Sequence, residues 1–329
     1  MSHTAFVTGA TGFVGANLVR ELLRKNWQVN ALVRSSSNLV DLNDLPIEIH
    51  RGDITDLVSL QAALSQPPDC VFHVAASTNV WSKNNGPQTA INVTGTKNVL
   101  KAAIQAGVGR LIHTSSFVVY GFQPQRFNED APRLGNANWI NYVRTKIAAE
   151  QLVQEAVLNG SLDAVIVNPA HILGPFGRHS WSRMITMVNQ GSLPGVPPGG
   201  GSFADVRQIA KAQIEAFHRG RRGNNYLLGG NSAEYLDIIT MLGELLNRPV
   251  PQKPMPAWIL RSVARLKALA AGISGKEPDL TPEAAAMITQ HMHCDSRKAG
   301  KELGYQPTPV RKLLEDTCDW MYNAGLLKS

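Results

Sequence analysis

The chain has 329 residues, and its 32 Lys and Arg against 25 Asp and Glu give a formal charge of +7. Hydrophobic residues make up 43 % of the sequence, and the glycines and prolines follow no G-X-Y period, which excludes collagenous, low-complexity and wholly disordered classes. At about 150 residues per domain, the length predicts two units, or one enlarged domain with a second lobe.

Cysteine usage and the start of the chain indicate a reducing compartment. Cys70, Cys294 and Cys318 lie far apart and form no C-x-x-C pair, so we expect neither a disulfide framework nor a metal site. The first residues lack a basic n-region, and no apolar run reaches about 18 residues. The basic residues are spread along the chain, which disfavours a nucleic-acid partner. We therefore expect a cytoplasmic protein.

Up to residue 168, short β-branched apolar runs alternate with longer segments of helical period. The runs predict six strands, at Ala5–Thr8, Val29–Val33, Ile47–Arg51, Cys70–Val74, Arg110–Thr114 and Ala164–Val167. Apolar residues at i, i+3, i+4 and i+7 predict helices between them, at Val14–Lys25, Leu57–Leu64, Asn92–Ala106 and Tyr142–Asn159. This βαβ pattern predicts an α/β fold with a doubly wound parallel sheet over residues 1–168.

The pattern changes after residue 168. A helix is predicted at Arg183–Asn189, and the Gly/Pro cluster of residues 193–201 predicts a loop. Residues 203–230 have a strand–helix–strand pattern and are expected to return to the sheet, whereas residues 231–329 are mostly helical. We therefore predict a smaller, mainly helical C-terminal substrate-binding lobe over residues 169–329.

A glycine-rich turn follows the first predicted strand and opens the first predicted helix. Its spacing is G-x-x-G-x-x-G, at Gly9, Gly12 and Gly15. One glycine permits a tight turn, one lets the backbone approach a pyrophosphate, and one allows close helix packing, while the helix N-terminus attracts the anion. The turn predicts a Rossmann dinucleotide site. The residues expected to contact the cofactor there are Gly9, Thr11, Gly12, Phe13, Val14 and Gly15.

The end of the second predicted strand should distinguish the two nicotinamide cofactors, because an acid there binds the ribose hydroxyls and an arginine binds a 2′-phosphate. Arg34 stands at this position, followed by the three serines of residues 35–37, and the first acid downstream is Asp41. A guanidinium beside hydroxyl donors suits a phosphate dianion. We therefore predict NADP(H) rather than NAD(H).

The ends of the third and fourth predicted strands complete the expected adenine side. Asp53 can accept a hydrogen bond from the adenine amino group and Ile54 can pack on the ring, although this segment is also typical of a helix N-cap. His73 is expected to be structural. The small side chains of Ala75 and Ala76 would let the cofactor cross the strand ends.

A tyrosine and a lysine at i and i+4 open the fourth of these helices. Reduction of a carbonyl needs an acid to protonate the developing alkoxide, and a neighbouring ammonium favours the phenolate form of tyrosine. Tyr142 and Lys146 have this spacing, and Ser115 and Ser116 at the fifth strand end offer a hydroxyl for the substrate oxygen.

At these residues the chain resembles the extended branch of the short-chain dehydrogenase/reductase family over essentially its whole length. The segments that match, besides those above, are Asn92–Thr96, Ser115–Gly121, Asn168–Ala170, Gly174–Pro175, Phe203–Arg207 and Asp295–Tyr305. The resemblance implies Ser116, Tyr142 and Lys146 as the catalytic set, with Ser116 preferred over Ser115 because it stands five residues before Gly121. It also implies a homodimer through the helices at Asn92–Ala106 and Tyr142–Asn159.

Further cofactor contacts are expected around the nicotinamide. They are Thr114, Tyr142, Lys146, Pro169, Ala170 and Ile172. Within the branch, the chain most resembles dihydroflavonol-4-reductase-like proteins. It departs from nucleotide-sugar 4,6-dehydratases, because the Asp-Glu pair that follows their catalytic hydroxyl is Phe117 and Val118 here. Gln208 replaces an aspartate common among relatives, which puts any salt bridge at that position in doubt.

Together these residues predict an NADPH-dependent oxidoreductase that reduces an aldehyde or ketone, a small carbonyl substrate, with Tyr142 as proton donor. Two alternatives remain. One is a nucleotide-sugar epimerase that retains NAD, and the other is a non-catalytic NADP-binding regulator on the same fold.

A basic amphipathic helix is predicted from Pro256 to Leu269. We expect its apolar stripe to pack inward against the lobe; the alternative is contact with a membrane surface.

Overall fold

A computed structural model describes residues 2–327, and its main sheet has seven parallel strands in the order β3-β2-β1-β4-β5-β6-β9. The strands are β1 (Thr4–Thr8), β2 (Gln28–Val33), β3 (Glu48–Arg51), β4 (Cys70–His73), β5 (Arg110–Thr114), β6 (Ala164–Pro169) and, later in the chain, β9 (Asn225–Leu228). The strand order reverses between β1 and β4, which places a ligand crevice at the carboxyl ends of these strands. The predicted doubly wound sheet is confirmed.

Helices cover both faces of this sheet. Those before β6 are α1 (Phe13–Arg24), α2 (Leu57–Ala63), α3 (Asn85–Thr89), α4 (Gly95–Ala106) and α5 (Asn141–Leu158), with a π-helical turn (Ala90–Thr94) joining α3 to α4. In β1, Ala5 and Val7 pack with Leu18 of α1, whereas Phe6 packs on the other face with Val99 of α4. Alternate residues of the strand are thus buried on opposite faces, which explains its uninterrupted apolar sequence.

The remainder of the chain builds a smaller sheet around one central strand. Its strands are β7 (His171–Leu173), β8 (Gly200–Asp205), β10 (Asn231–Glu234) and β11 (His291–Met292). β8 pairs with the other three, antiparallel only to β10. The strand that opens residues 203–230 therefore belongs to this second sheet, while the helix and strand that follow it lie on the main sheet. Sequence periodicity missed β7, β10 and β11, which are three, four and two residues long.

Seven helices accompany this part of the described chain. They are α6 (Trp181–Asn189), α7 (Val206–Arg219), α8 (Tyr235–Leu246), α9 (Ala257–Ser274), α10 (Pro282–Ile288), α11 (Arg297–Leu303) and α12 (Val310–Asn323). α7 packs beside α1 on the main sheet, and α6, α8 and α12 share the core of the lobe. Within residues 2–327, no helix is both long and apolar enough to cross a bilayer.

The orientation of α9 differs from the sequence-based expectation. Only Ala264 and Ala271 of this helix are buried, and Ile259, Leu260 and Val263 are half-buried. The other large apolar side chains are exposed, by 70 % for Trp258, 66 % for Leu266, 70 % for Leu269 and 93 % for Ile273. The expected inward packing of the apolar stripe is therefore wrong for these four residues, because they lie on the side of α9 opposite its buried alanines.

Candidate functional site

The glycine turn between β1 and α1 brings the backbone close to the neighbouring strand end. Gly9 has φ +76°, and a Cβ there would lie 2.6 Å from the Ala75 nitrogen. A Cβ on Gly15 would lie 2.0 Å from the Gly9 carbonyl oxygen. Gly12 is the N-cap of α1, with no side-chain cap and no acid in the first turn. The first N–H groups of α1 therefore remain available to an anion.

The loop after β7 folds back over this turn. Asn17 on α1 donates hydrogen bonds to the carbonyls of Phe13 and Pro175, both at 2.9 Å. The Phe13 ring lies against Gly177, where a Cβ would be 3.1 Å from the ring. These contacts were not predicted, since Asn17 and Pro175 are far apart in sequence. They enclose the glycine turn between α1 and the second part of the chain.

Arg34 immediately follows β2, and its side chain is exposed. Within the part of the chain that the structure describes, its guanidinium has no hydrogen-bond or ion-pair partner, while its carbonyl accepts a bond from Arg51 at 3.1 Å. Asp41, the nearest downstream acid, is paired with Arg178 at 2.9 Å. At this strand end, a ribose 2′-phosphate would therefore meet an unpaired arginine and a carboxylate that already has an ion-pair partner.

The two acids after β3 have separate roles. Asp56 caps α2 by accepting a hydrogen bond from the Val58 N–H at 3.0 Å. One oxygen of Asp53 accepts from the N–H and hydroxyl of Thr55, both at 2.8 Å. Ile54 is buried beneath the start of α4, while Ala75 is half-buried and Ala76 is exposed after β4. The expected adenine-side residues thus lie at neighbouring strand ends.

Ser116, Tyr142 and Lys146 come together at the end of β5. Ser116 opens a short 3-10 turn after the strand, and its hydroxyl accepts from the Val118 N–H at 3.4 Å. The same hydroxyl lies close enough to Tyr142, in the first turn of α5, to act on the pKa of that tyrosine. One turn further along α5, the Lys146 Nζ donates to the Thr114 carbonyl at 2.7 Å. The Ser115 hydroxyl is also buried but has no partner among the described residues. The structure therefore joins Tyr142 to Ser116 rather than to Ser115.

Burial changes the acidity of both groups on α5. Lys146 is only 3 % exposed, and the loss of hydration lowers its pKa to about 8, with Glu150 acting in the opposite direction. Burial also raises the pKa of Tyr142, which the hydrogen bond from Ser116 partly offsets. At neutral pH Tyr142 therefore carries its proton and Lys146 remains mainly an ammonium ion.

A buried histidine supports the floor of this site. His73 shares hydrogen bonds with the hydroxyls of Thr8 at 2.8 Å and Thr96 at 2.9 Å. The Thr8 hydroxyl accepts from the Ala75 N–H, and the Thr96 hydroxyl donates to the Asn92 carbonyl. These partners assign the ring proton to Nε2. Burial, and then the Lys146 charge, lower the pKa of His73 to about 3, so it is neutral.

A second histidine, which sequence reasoning did not consider, lies 5.3 Å from the first between ring centres. Both ring nitrogens of His113 are buried without a partner among residues 2–327. Burial, followed by the charge of Lys146, holds the pKa of His113 well below its usual value. Two neutral imidazoles therefore lie beneath the lysine.

A buried polar chain holds the backbone of Ser116. Asn168, at the end of β6, donates to the Ser116 carbonyl at 3.2 Å and to the Glu150 carboxylate at 2.9 Å. Glu150 is also ion-paired with Arg133. In the sequence, the signals for this row of buried polar groups are Glu150, one turn after Lys146, and Asn168 at the strand end. Neither had been assigned a role from the sequence.

An aromatic group forms the other side of Ser116. The Phe117 ring meets His171 of β7 edge to face at 5.2 Å, and His171 stacks on Phe203 at 5.3 Å. The Tyr235 hydroxyl lies 3.2 Å from His171 Nε2, and burial lowers the pKa of His171 to about 4, so this imidazole is neutral. The expected nicotinamide-side residues Pro169 and Ala170 are buried between β6 and β7, and Ile172 is half-buried.

Several arginines that could bind a nucleotide diphosphate already have acidic partners. Arg178 pairs with Asp41, and Arg183 approaches Asp279 at 3.6 Å. Arg207 pairs with Asp205 at 2.7 Å and with Asp316. Arg207 thus has two acidic partners, and Gln208 takes no part in these ion pairs.

One cluster of potential metal ligands lies at the edge of the small sheet. His291 Nδ1 is 2.9 Å from Glu234, His293 Nε2 is 3.7 Å from the same carboxylate, and one ligand atom from each residue falls within 4.8 Å of the others. Gly200 leaves the space for this approach, since a Cβ there would lie 2.6 Å from Glu234. Each carboxylate oxygen has a histidine nitrogen within 4 Å, and burial lowers the pKa of His293, so the cluster forms a polar contact group at the sheet edge.

Comparisons with known proteins extend over the whole chain. The family model described as the NAD dependent epimerase/dehydratase family matches residues 5–229. A Synechocystis protein named "Putative dihydroflavonol 4-reductase" is 33 % identical, covering 100 % of this chain and 97 % of its own length. "Sterol demethylase protein B" of Methylococcus capsulatus is 31 % identical over 98 % of this chain and 100 % of its own. The solved structure of gox2253 superposes with a TM-score of 0.86 at 32 % identity, covering 99 % of this chain and 100 % of that chain.

Proposed function

We propose a function from one premise: the chain belongs to the NAD dependent epimerase/dehydratase family, a group of enzymes that use nicotinamide dinucleotides. The proposed reaction is the NADPH-dependent reduction of an aldehyde or ketone to an alcohol. The observation that carries it is that the Ser116 hydroxyl, the Tyr142 phenol and the buried ammonium of Lys146 come together at the end of β5, where Lys146 donates to the Thr114 carbonyl at 2.7 Å.

The chain's own groups would bind the reactants as follows. The free N–H groups at the start of α1 bind the pyrophosphate, and Pro169, Ala170 and Ile172 flank the nicotinamide. When bound, NADPH supplies the hydride. Ser116 donates a hydrogen bond to the substrate carbonyl oxygen and holds it beside Tyr142. Lys146 binds the nicotinamide ribose and stabilises the phenolate that forms.

The proton balance follows from this arrangement. As the carbonyl carbon receives the hydride, its oxygen becomes an alkoxide, and the Tyr142 hydroxyl donates a proton to that oxygen. The alcohol then leaves, and the phenolate takes a proton from solvent. Among the described residues, no carboxylate hydrogen-bonds Ser116 or Tyr142, and Phe117 and Val118 are apolar. This favours simple reduction over elimination of water.

Arg34 supports NADPH as the cofactor, because its guanidinium is free while Asp41 is already paired with Arg178. The relatives named as reductases support the same reaction class. The aromatic group around His171 and the ion-paired state of Arg178 and Arg207 favour a compact carbonyl compound over a nucleotide sugar. We also infer a homodimer through α4 and α5 and a cytoplasmic address, which light scattering and cell fractionation would measure.

The first test is a parallel titration of nucleotide-free protein with NADPH and NADH, followed by nicotinamide fluorescence. We expect tighter binding of NADPH, and about a tenfold loss of that affinity in Arg34→Gln with NADH binding unchanged. Arg222→Gln is the matched control, since Arg222 is exposed and its side chain bonds only the Val157 carbonyl in the last turn of α5. Tighter NADH, or NAD that cannot be removed from the protein, would favour the retained-NAD epimerase.

Turnover separates the enzyme from a non-catalytic regulator. A panel of aldehydes and ketones is assayed with NADPH, using the wild type and Tyr142→Phe. We expect oxidation of NADPH by the wild type that the variant lacks. Cofactor binding without turnover of any compound, or equal turnover by both proteins, contradicts the proposed mechanism.

A further inference from the structure

Four large apolar side chains lie on one outer side of α9. Trp258, Leu266, Leu269 and Ile273 are 66–93 % exposed. At 100° per residue they fall within an arc of about 80°, and the helix that carries them is about 27 Å long. The stripe runs from the first turn of α9 to the last. Grouped exposure of this kind marks an interaction surface, whereas single exposed apolar residues do not.

The charges around the stripe have one sign. α9 contains no aspartate or glutamate, and its basic residues are Arg261, Arg265 and Lys267. Arg265 borders the apolar arc and is exposed without a partner among the described residues. Lys253 before the helix and Lys276 after it also have exposed side chains that bind no described group.

The acids that follow α9 do not neutralise these cations. Glu277 accepts two hydrogen bonds from the Asn79 side chain, at 2.9 and 3.0 Å. Asp279 pairs with Lys267 at 2.7 Å and lies 3.6 Å from Arg183. Because Asn79 is neutral, Glu277 keeps its negative charge, but residues 253–279 carry five Lys and Arg against two Asp and Glu, a formal charge of +3.

We propose that this face of α9 binds the surface of an anionic phospholipid bilayer. The apolar stripe would enter the acyl boundary, with Trp258 at headgroup level, while Arg265, Lys253 and Lys276 contact lipid phosphates. A second copy of the chain is a poorer occupant, because two acid-free, positively charged faces repel each other.

The docked helix would also lie beside the rim of the candidate site. Lys83 donates to the Ala271 carbonyl at 3.3 Å, and Asn79 bonds Glu277. The segment that carries Asn79 and Lys83 follows Ala76 at the end of β4. A bilayer on α9 would therefore be close to the segment that follows β4.

The test is co-sedimentation of the full chain with vesicles made of equal parts phosphatidylglycerol and phosphatidylcholine. We expect binding that high salt weakens, and little binding to phosphatidylcholine alone. The triple variant Leu266→Ser/Leu269→Ser/Ile273→Ser should bind at least about tenfold more weakly, and Arg265→Gln about fivefold more weakly. The control Val58→Ser/Leu158→Ser changes two side chains that are 72 % and 86 % exposed on other helices, and should bind like the wild type.

Circular dichroism and thermal unfolding show whether the variants keep their fold. Absence of wild-type binding to the anionic vesicles, or equal binding of the triple variant, overturns the proposal. A lipid-free dimer that the triple variant converts to monomer, without vesicle binding by the wild type, assigns the face to a second copy and also overturns it. None of these outcomes depends on the proposed reaction.

Discussion

The main sheet and α9 differ in the burial of their large apolar residues. In β1, Ala5 and Val7 are fully buried on one face of the sheet and Phe6 is 1 % exposed on the other. In α9, the fully buried side chains are two alanines, and four large apolar side chains are 66–93 % exposed. The first region buries its apolar area within the chain itself, whereas the second leaves much of its apolar area exposed. The apolar content of a segment therefore does not show whether that segment stabilises the fold.

The largest expected effect belongs to the site on the main sheet. Tyr142→Phe should lower kcat by about 10³-fold, because it removes the proton donor, while NADPH affinity changes by less than about twofold. Lys146→Ala should lower both kcat and NADPH affinity. Steady-state kinetics and nicotinamide fluorescence measure these effects. Equal loss of affinity in both variants contradicts the separate roles of the two residues.

The backbone of the glycine turn should be highly sensitive to substitution. Gly15→Ala places a Cβ in contact with the Gly9 carbonyl, and we expect a loss of about 3 kcal/mol in the free energy of unfolding, together with weaker cofactor binding. Gly86→Ala is the control, since a Cβ there meets nothing within 4 Å. Urea unfolding of both variants gives the comparison. Similar midpoints would show that the turn can relax.

Two leucines test the contrast between the regions directly. Leu18→Ala in α1 removes a fully buried side chain and should cost about 3 kcal/mol of unfolding free energy. Leu266→Ala in α9 removes an exposed one and should change that free energy by less than about 0.5 kcal/mol. Chemical denaturation of both proteins is sufficient. A large loss in Leu266→Ala would mean that α9 packs inward in solution.

The smallest effect concerns the buried lysine. Its folded-state pKa of about 8 lies below its usual value of 10.5, so the unfolded chain binds more protons between these values. The cost of burying the charge is fully present below pH 8 and disappears as pH rises toward 10.5. Lys146→Met should therefore be more stable than the wild type at neutral pH, with a difference that shrinks at alkaline pH. Denaturation at several pH values measures it, and a constant difference would contradict it.

Local patterns in the sequence predicted the main sheet and the positions of Arg34 and Lys146. The glycine turn was predictable because its spacing, its preceding strand and its following helix are all adjacent in the chain. Arg34 and Asp41 could be compared for the same reason, since both follow β2. Tyr142 and Lys146 share a helix face at i and i+4.

Contacts between distant segments could not be predicted in this way. The bond from Asn17 to the Pro175 carbonyl joins residues 158 positions apart. The hydrogen bond from Asn168 to the Ser116 carbonyl joins two strand ends, and no periodicity in the sequence predicts it. The helical period of residues 256–269 predicted an amphipathic helix but not which of its sides faces the protein. The side that carries Ala264 and Ala271 is the buried one.

The two neutral imidazoles under Lys146 have a consequence for acid tolerance. Because the pKa of His73 is about 3 and that of His113 is also well below its usual value, neither ring takes up a proton when the surroundings acidify mildly. The charge on these two rings therefore stays at zero when the pH falls slightly below neutral. Mild acidification of a cell would leave the contribution of these two rings to the site unchanged.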